Sequence, residues 1–335
     1  STGIIKNVHH CDVRSLYPSI MIAEKKAPKC DQLGVFLQLL SYFRKYRLDA
    51  KQKMQMSKNK AEKAHFDSLQ TTFKILINSF YGYLGFAHGH FNDFEKAREV
   101  AARGRSIVND MLKWLRANGA KPVEIDTDGI YYVPPHLKNE KQKKAFQKAF
   151  QKSLPPKIDV EFDGEYRSMF SYKMKNYALL EHSGKIIIKG GALKSRGLEP
   201  YLRAFLKELI RLKLQAKEKD LHALKNRYEQ VISKGSFPIR QLAKTETLSE
   251  APAFYARKVA QRRRGRNAAY ELALQSERNY QAGDQISYYI TGTKKKVAAF
   301  QAAKLVSDWN NKERDENIAY YLAKLHALYD RFAIN

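Results

Sequence analysis

The chain is poor in cysteine: two thiols, Cys11 and Cys30, stand among 335 residues. That excludes a disulfide framework and every zinc-ligand spacing. Both are read as reduced thiols of an intracellular protein, in cytoplasm and nucleoid or in a nucleus. Long apolar runs are missing too. No stretch reaches the ~18 residues that a membrane-spanning helix needs. The opening "STGIIKNVHH" lacks the charged-then-apolar pattern of a signal peptide. No low-complexity tract or fixed-period repeat occurs. Acidic residues are scarce: 34 Asp and Glu face 61 Lys and Arg, a formal net charge of +27. Such an imbalance repels itself in a compact fold. It suits a polyanionic partner, nucleic acid first, with an anionic membrane surface as the plainer competitor.

What is present is a chain long enough for two or three modules. Residues 4–13 read as a strand with imperfect alternation, and a helix is expected from Ser19 towards Lys26, closed by Pro28. From Gly34 to Lys63 the text is helical and basic. A second helix is expected from Ala64 to Tyr83, with "SKNK" (57–60) as the turn of the resulting hairpin. A further helix covers Asp93 to Asn118. "PVEIDTDGIYYVPP" (122–135) reads as two short strands around an Asp-Thr-Asp-Gly turn. Residues 138–152 are a lysine-rich helix with Phe146 and Phe150 on one face. Strands follow, with a Ser-Gly turn at 183–184. Residues 199–232 read as helix, and the remainder as mainly helical and basic with one strand at 285–291. A soft boundary is placed near residue 198.

Three acidic residues are candidates for chemistry: Asp12 at the end of the first strand, and Asp126 and Asp128 in the hairpin turn. If the strands are neighbours, the carboxylates converge, and converging carboxylates call for a cation between them. A hard divalent ion such as Mg²⁺ suits oxygen ligands and bridges carboxylates to phosphates. Taken alone, "DTDG" is equally a good turn sequence. In "KILINSFYG" (74–82), Lys74, Asn78 and Tyr81 fall at i, i+4 and i+7 on one helix face, with Ile75, Leu76 and Ile77 covering the other. A cation, an amide and a ring in line suit a nucleotide. A solvated lysine beside a half-buried tyrosine is the plainer alternative. One helix earlier, Arg47 and Lys51 stand at i and i+4. Two facing helices that both present cations ask for a shared anion, and a triphosphate would satisfy them. "RKVAQRRRGR" (257–266) and "TGTKKK" (291–296) read as phosphate-backbone contacts or as solvated charge. "YKMKNYALL" (172–180) puts Lys175 and Tyr177 on one face of a strand, either against a duplex or as an exposed edge.

In combination these motifs resemble one family. "DVRSLYPSI", "KILINSFYG" and "DTDG", in that order, are similar to motifs A, B and C of family B DNA polymerases. "KMKNY" resembles that family's lysine-x-tyrosine motif, and "IKGGALKSRG" (188–197) its lysine-glycine motif. "LINSFYGYLGFAHGHFNDFEKAREVAARGRSIV" and "NIAYYLAKLHALYDRF" resemble its fingers-to-palm return and its C-terminal thumb text, so the resemblance covers essentially the whole chain.

The resemblance implies an α+β right-hand polymerase with a palm sheet, helical-hairpin fingers and a mainly helical thumb. The palm would be residues 1–33 and 86–198, the fingers 34–85, the thumb 199–335. It implies DNA-directed DNA synthesis from dNTPs on primer-template DNA, by a monomer, with no membrane partner and with a separate exonuclease or N-terminal region as a further partner. Asp12 and Asp128, helped by the Val13 carbonyl, would hold two Mg²⁺ ions, with Mn²⁺ able to substitute, and Asp126 would support them. Backbone groups of Ser15 and Leu16 would cradle phosphates, and Tyr17 would lie under the sugar and exclude a 2′-hydroxyl. Arg47, Lys51, Lys74 and Asn78 would grip the triphosphate, and Tyr81 and Gly82 would meet the nascent base pair. Lys175, Tyr177, Lys189, Arg196, Arg262, Arg263 and Arg264 would contact DNA.

Three departures stand out. Motif C ends in glycine where the family often has serine, which a hairpin tip tolerates. Ser195, Arg196 and Gly197 stand where the family usually continues Arg-Arg-Asp, which puts the primer-strand grip in question. The usual N-terminal and exonuclease regions do not precede motif A, and a lone Asp-Val-Glu at 159–161 is in the wrong place for an exonuclease motif. The expectation is a chain without proofreading, trimmed from a longer protein or unusually short. The competing class is a polymerase-like subunit that holds primer-template without synthesis. Retention of Asp12, Asp126 and Asp128 favours the enzyme.

Overall fold

Gly3–Val13 form the first strand, β1, and the chain turns through Ser15 directly into helix α1, Leu16–Ala23. The helix therefore opens three residues earlier than its sequence pattern suggests. Ser15 takes a left-handed conformation (φ 49°) that reverses the chain, and Pro18 sits in the first turn, where its missing N–H costs nothing. A hairpin of long helices follows, α2 (Val35–Met56) and α3 (Lys60–Leu84), with its turn at 57–59. Asp31 caps α2 by accepting from the N–H groups of Val35 (3.0 Å) and Phe36 (2.9 Å), and Asn59 caps α3 by accepting from Ala61. Helix α4 (Phe94–Ala117) starts on the side chain of Asp93. Strands β2 (Lys121–Ile125) and β3 (Gly129–Val133), helix α5 (Glu140–Ser153) and strand β4 (Val160–Lys173) come next.

The computed structural model describes residues 3–194 and 197–333. These divide into two compact units, one over Lys6–Arg167 and the other over Ser168–Asn335 joined by the first few residues of the chain. In the first unit the strands lie in the order β2-β3-β1-β4, and β3 pairs antiparallel with both β1 and β2. Its core joins Val13, Leu16 and Ile20 to Phe36, Leu40 and Ile77 of the hairpin and to Ile107, Met111 and Leu115 of α4. Phe146 and Phe150 dock α5 on Trp114, with ring centroids 5.2 and 5.0 Å away.

The second unit adds β5 (Asn176–Glu181) and β6 (Ile186–Lys189), then α6 (Gly191–Lys194), α7 (Pro200–Leu214), α8 (Leu221–Ser233) and α9 (Ile239–Leu242). The expected helix over 199–232 is broken after Leu214, where Ala216 is left-handed (φ 55°). Strand β7 (Lys244–Thr247), helices α10 (Pro252–Ala260) and α11 (Ala268–Gln275), strand β8 (Gln285–Ile290), α12 (Ala299–Ala302), β9 (Ala303–Leu305) and α13 (Ile318–Ala333) complete it. The single strand expected at 285–291 is the centre of a three-stranded sheet, β7-β8-β9. Its partners are too short and irregular to show a period-two pattern; pairing on β8 creates them. Among the described residues no helix is long and apolar enough to cross a membrane.

Candidate active site

The site grows from the register of β1 on β3. Asp12 stands opposite Gly129, and the Val13 N–H donates to the Asp128 carbonyl at 2.8 Å. The Asp126 N–H closes the hairpin on the Gly129 carbonyl, also at 2.8 Å. The two carboxylates expected to converge are thus on adjoining backbone. Their electrostatics show it. Burial pushes the Asp12 carboxyl up to about 7, with the Asp128 charge adding to the rise and His10 and Lys74 opposing it. Asp128 is also raised, first by burial and then by Asp126, again against Lys74 and His10. Lys74 of α3 therefore lies within electrostatic reach of both. Beside them, burial pushes the Cys11 thiol up to about 12, which marks it as packing rather than nucleophile.

Gly129 is present for a reason other than turn conformation. A Cβ there would lie 2.7 Å from His10 Nε2 and 2.9 Å from Asp12 Oδ1. The glycine ending "DTDG" leaves room for its neighbours on β1; it is not in the left-handed region. His10, which the motifs did not single out, stacks on Tyr131 (4.1 Å) and is hydrogen-bonded through Nδ1 to Asp163 Oδ1 of β4 at 2.6 Å. A histidine two residues before Asp12 on the same strand face was the signal available for it.

Tyr17, in the first turn of α1, stacks on Tyr81 of α3 with centroids 4.2 Å apart. Its floor is Gly104 of α4, where a Cβ would come within 2.8 Å of the ring. Gly104 was also missed, although a lone glycine inside a helical pattern is a standard packing signal. On α3, Lys74, Asn78 and Tyr81 share a face as expected. The opposite face is less apolar than expected: Ile77 is fully buried, but Ile75 is 63% and Leu76 40% exposed. The hairpin is a two-helix layer with one row to bury, so only one of three consecutive apolar residues points inward.

Three cations of α2 face β4 and the β1–α1 turn. Arg47 Nη1 donates to Ser15 Oγ at 2.7 Å, Lys51 Nζ pairs with Glu161 at 2.7 Å, and Arg44 pairs with Asp159 at 3.4 Å. Glu161 also accepts Arg14 Nε at 2.6 Å.

In the second unit several expected DNA contacts look different. Lys175 is not on a strand: it is left-handed (φ 58°) in the two-residue turn between β4 and β5, and Tyr177 is buried. The two do not share an exposed face, because the turn ends the alternation that the sequence suggested. Lys189 is exposed at the end of β6. Arg262 and Arg263 are exposed, but Arg264 pairs with Glu250 and lies over the rings of Tyr270 (4.5 Å) and Tyr255 (5.1 Å). Arg196 lies outside the described residues.

Among the described residues no group of three or more His, Cys, Asp and Glu side chains is arranged to hold a metal. Asp12 and Asp128 form a pair instead, desolvated and mutually repelling in the absence of a cation. That donor set fits a hard divalent ion that keeps waters and takes its remaining oxygens from a substrate phosphate.

The fold is that of a polymerase: the structure of the family B DNA polymerase from the hyperthermophilic archaeon Pyrobaculum calidifontis matches 99% of this chain and 45% of its own, with a TM-score of 0.74 at 18% identity. A sequence description of DNA polymerase family B matches residues 24–333, and the chain belongs to that family. DNA polymerase 1 of Pyrococcus abyssi is 34% identical over 212 residues, covering 56% of this chain and 28% of that protein. A DNA polymerase of Archaeoglobus fulgidus is 26% identical over 275 residues, 76% of this chain and 35% of its own length. The chain thus spans about a third or less of the length of these relatives.

Proposed function

We propose that the chain is the catalytic region of a DNA-directed DNA polymerase, adding dNTPs to a primer 3′ end by two-metal phosphoryl transfer. In this reading residues 1–33 and 86–198 are the palm, 34–85 the fingers and 199–335 the thumb. The observation that carries it is the convergence of Asp12 and Asp128 at adjoining strand ends, with Lys74 of the helical hairpin within electrostatic reach of both. The family and its named DNA polymerases support the substrate class.

Asp12, Asp128 and the Val13 carbonyl would hold two Mg²⁺ ions, and Asp126 supports Asp128 from beside it. When bound, the ions supply positive charge to the reacting phosphates and make the primer 3′-hydroxyl more acidic. The protein's own part is positioning. The first N–H groups of α1, at Ser15 and Leu16, would be donors for phosphate oxygens, as at other helix N-termini. Lys74, Asn78, Arg47 and Lys51 bind the triphosphate from the hairpin. The Tyr17 ring, held between Tyr81 and Gly104, fills the space that a 2′-hydroxyl would need. Tyr81 and Gly82 border the base pair. Lys189, Arg262 and Arg263 offer charge to the DNA backbone.

Primer extension with and without Mg²⁺ tests the reading. Asp128→Ala should abolish extension and leave DNA binding nearly intact. A variant that extends primers as well as the parent overturns the assignment.

A further inference from the structure

Asp159 and Glu161 belong to the Asp-Val-Glu segment to which the reaction gives no role. They stand two residues apart, Asp159 just before β4 and Glu161 within it, and both meet cations of α2. Arg44, Arg47 and Lys51 stand at i, i+3 and i+7 on α2, one helix face. The two rows meet. Arg44 Nη2 reaches Asp159 Oδ2 (3.4 Å), and Lys51 Nζ reaches Glu161 Oε1 (2.7 Å). The same Glu161 oxygen takes Arg14 Nε at 2.6 Å, and the Arg14 N–H donates to the Asp159 backbone carbonyl at 2.9 Å, so the Glu161 carboxylate and the Asp159 main chain are tied to the turn before Ser15. Arg47 sits between, on the Ser15 hydroxyl, and its buried Nε–H has no acceptor.

We propose that Asp159 and Glu161 are a carboxylate clamp that occupies the phosphate-gripping cations of α2 in the nucleotide-free protein, and that a triphosphate binds by displacing Glu161 from Lys51. The inference rests on the nucleotide role given above to Arg47 and Lys51. Charge decides the direction. Arg14, Arg44 and Lys51 pair with the two carboxylates, Asp12 and Asp163 act on Arg47 and Lys51 from farther off, and Arg47 keeps an unused buried donor. Burial opposes ionisation of Glu161, yet Lys51 and Arg14 hold its carboxyl below the usual range, so it stays charged and repels an entering phosphate. An anion with the charge of a triphosphate outcompetes one carboxylate for Lys51. A monophosphate brings little more than the clamp already provides. The clamp therefore weakens nucleotide binding in general and sets a threshold that favours the triphosphate. It also ties α2 to β4 until that ligand arrives.

The test uses the full chain on primer-template DNA, with Ca²⁺ in place of Mg²⁺ and dATP as the probe. The dissociation constant is measured for the parent, Glu161→Gln, Lys51→Gln and the double variant. Glu161→Gln keeps size and shape and loses charge; it should bind dATP about threefold to tenfold tighter, the scale of one nearby charge at partial exposure. Lys51→Gln should bind more weakly, and in that background Glu161→Gln should gain less than it does in the parent, because only the repulsion and not the competition for Lys51 is then removed. Hydrogen exchange over residues 44–56 of the nucleotide-free protein should quicken in Glu161→Gln. Unchanged or weaker dATP binding by Glu161→Gln, in a parent that binds dATP and extends primers, overturns the clamp alone. A parent that neither binds dATP nor extends a primer overturns the polymerase reading and the clamp with it.

Discussion

Asp12→Asn should stabilise the metal-free protein at pH 8 and leave its stability unchanged near pH 4. Burial and the Asp128 charge raise the Asp12 carboxyl from an ordinary 3.8 to about 7. Below 3.8 the group is protonated in folded and unfolded chains alike, and its contribution is neutral. As pH rises, the unfolded chain releases the proton first while the folded chain retains it. Stability is therefore lost progressively up to about 7 and stays lost above it. The gap between 3.8 and about 7 corresponds to ~4 kcal/mol at full strength. The carboxylate is partly exposed, so solvent screening reduces this to roughly 1–3 kcal/mol. An asparagine cannot ionise and escapes the cost. Urea unfolding of parent and variant, in chelator at pH 4 and pH 8, reads the difference directly. A variant no more stable than the parent at pH 8 refutes the reasoning. Restoring Mg²⁺ should reverse the order, because a cation held by the carboxylate pair stabilises the parent and not the variant.

Two further outcomes follow from contacts beside and away from the carboxylates. Gly104→Ala gains up to ~1 kcal/mol of helix propensity, but its Cβ would lie 2.8 Å from the Tyr17 ring, so the ring must move. Overall stability should change little while ribonucleotide incorporation rises on the order of tenfold, in the same direction as Tyr17→Ala; unchanged sugar preference in primer extension would remove the gate. Arg264→Gln loses the Glu250 pair and the stacking on Tyr255 and Tyr270, and should cost roughly 1–2 kcal/mol in urea unfolding. Arg262→Gln and Arg263→Gln should stay within about 0.5 kcal/mol of the parent and each reduce the salt slope of DNA binding by about one. Equal behaviour of the three arginines in both assays would refute the division.

Three separate stretches of the text, around Asp12 and Tyr17, around Lys74 and Tyr81, and around Asp128, come together in the fold because β1 pairs with β3 and Tyr17 stacks on Tyr81 of α3. The long helices were legible from their helical pattern, although α2 ends at Met56 rather than Lys63 and α3 begins at Lys60 rather than Ala64, where Asn59 caps it. What stayed illegible was set by contact rather than by local pattern. Strands β7 and β9 exist only by pairing on β8. Lys175 and Tyr177 look like one strand face until the turn between β4 and β5 separates them. Gly104 and Gly129 are required by side chains 87 and 117 residues earlier in the chain, Tyr17 and Asp12, and no local signal names those partners.

The charge excess needs the same correction. A net +27 suggested cations held for a polyanion, yet several cations are already paired: Arg264 with Glu250, Lys51 and Arg14 with Glu161, Arg44 with Asp159. Composition counts charges, whereas binding depends on those still available when the ligand arrives. Lys189, Arg262 and Arg263 are exposed, and on the reading proposed above they are available to the DNA backbone. For a triphosphate, on the reading proposed above, Lys51 must first leave a carboxylate. An exposed cation loses its counterions to DNA and shows up as a salt slope. A clamped cation exchanges one protein anion for one ligand anion, which leaves the slope nearly flat and changes the affinity instead. The two kinds of basic residue in this chain are therefore separable by salt titration alone, with DNA as one ligand and dATP as the other.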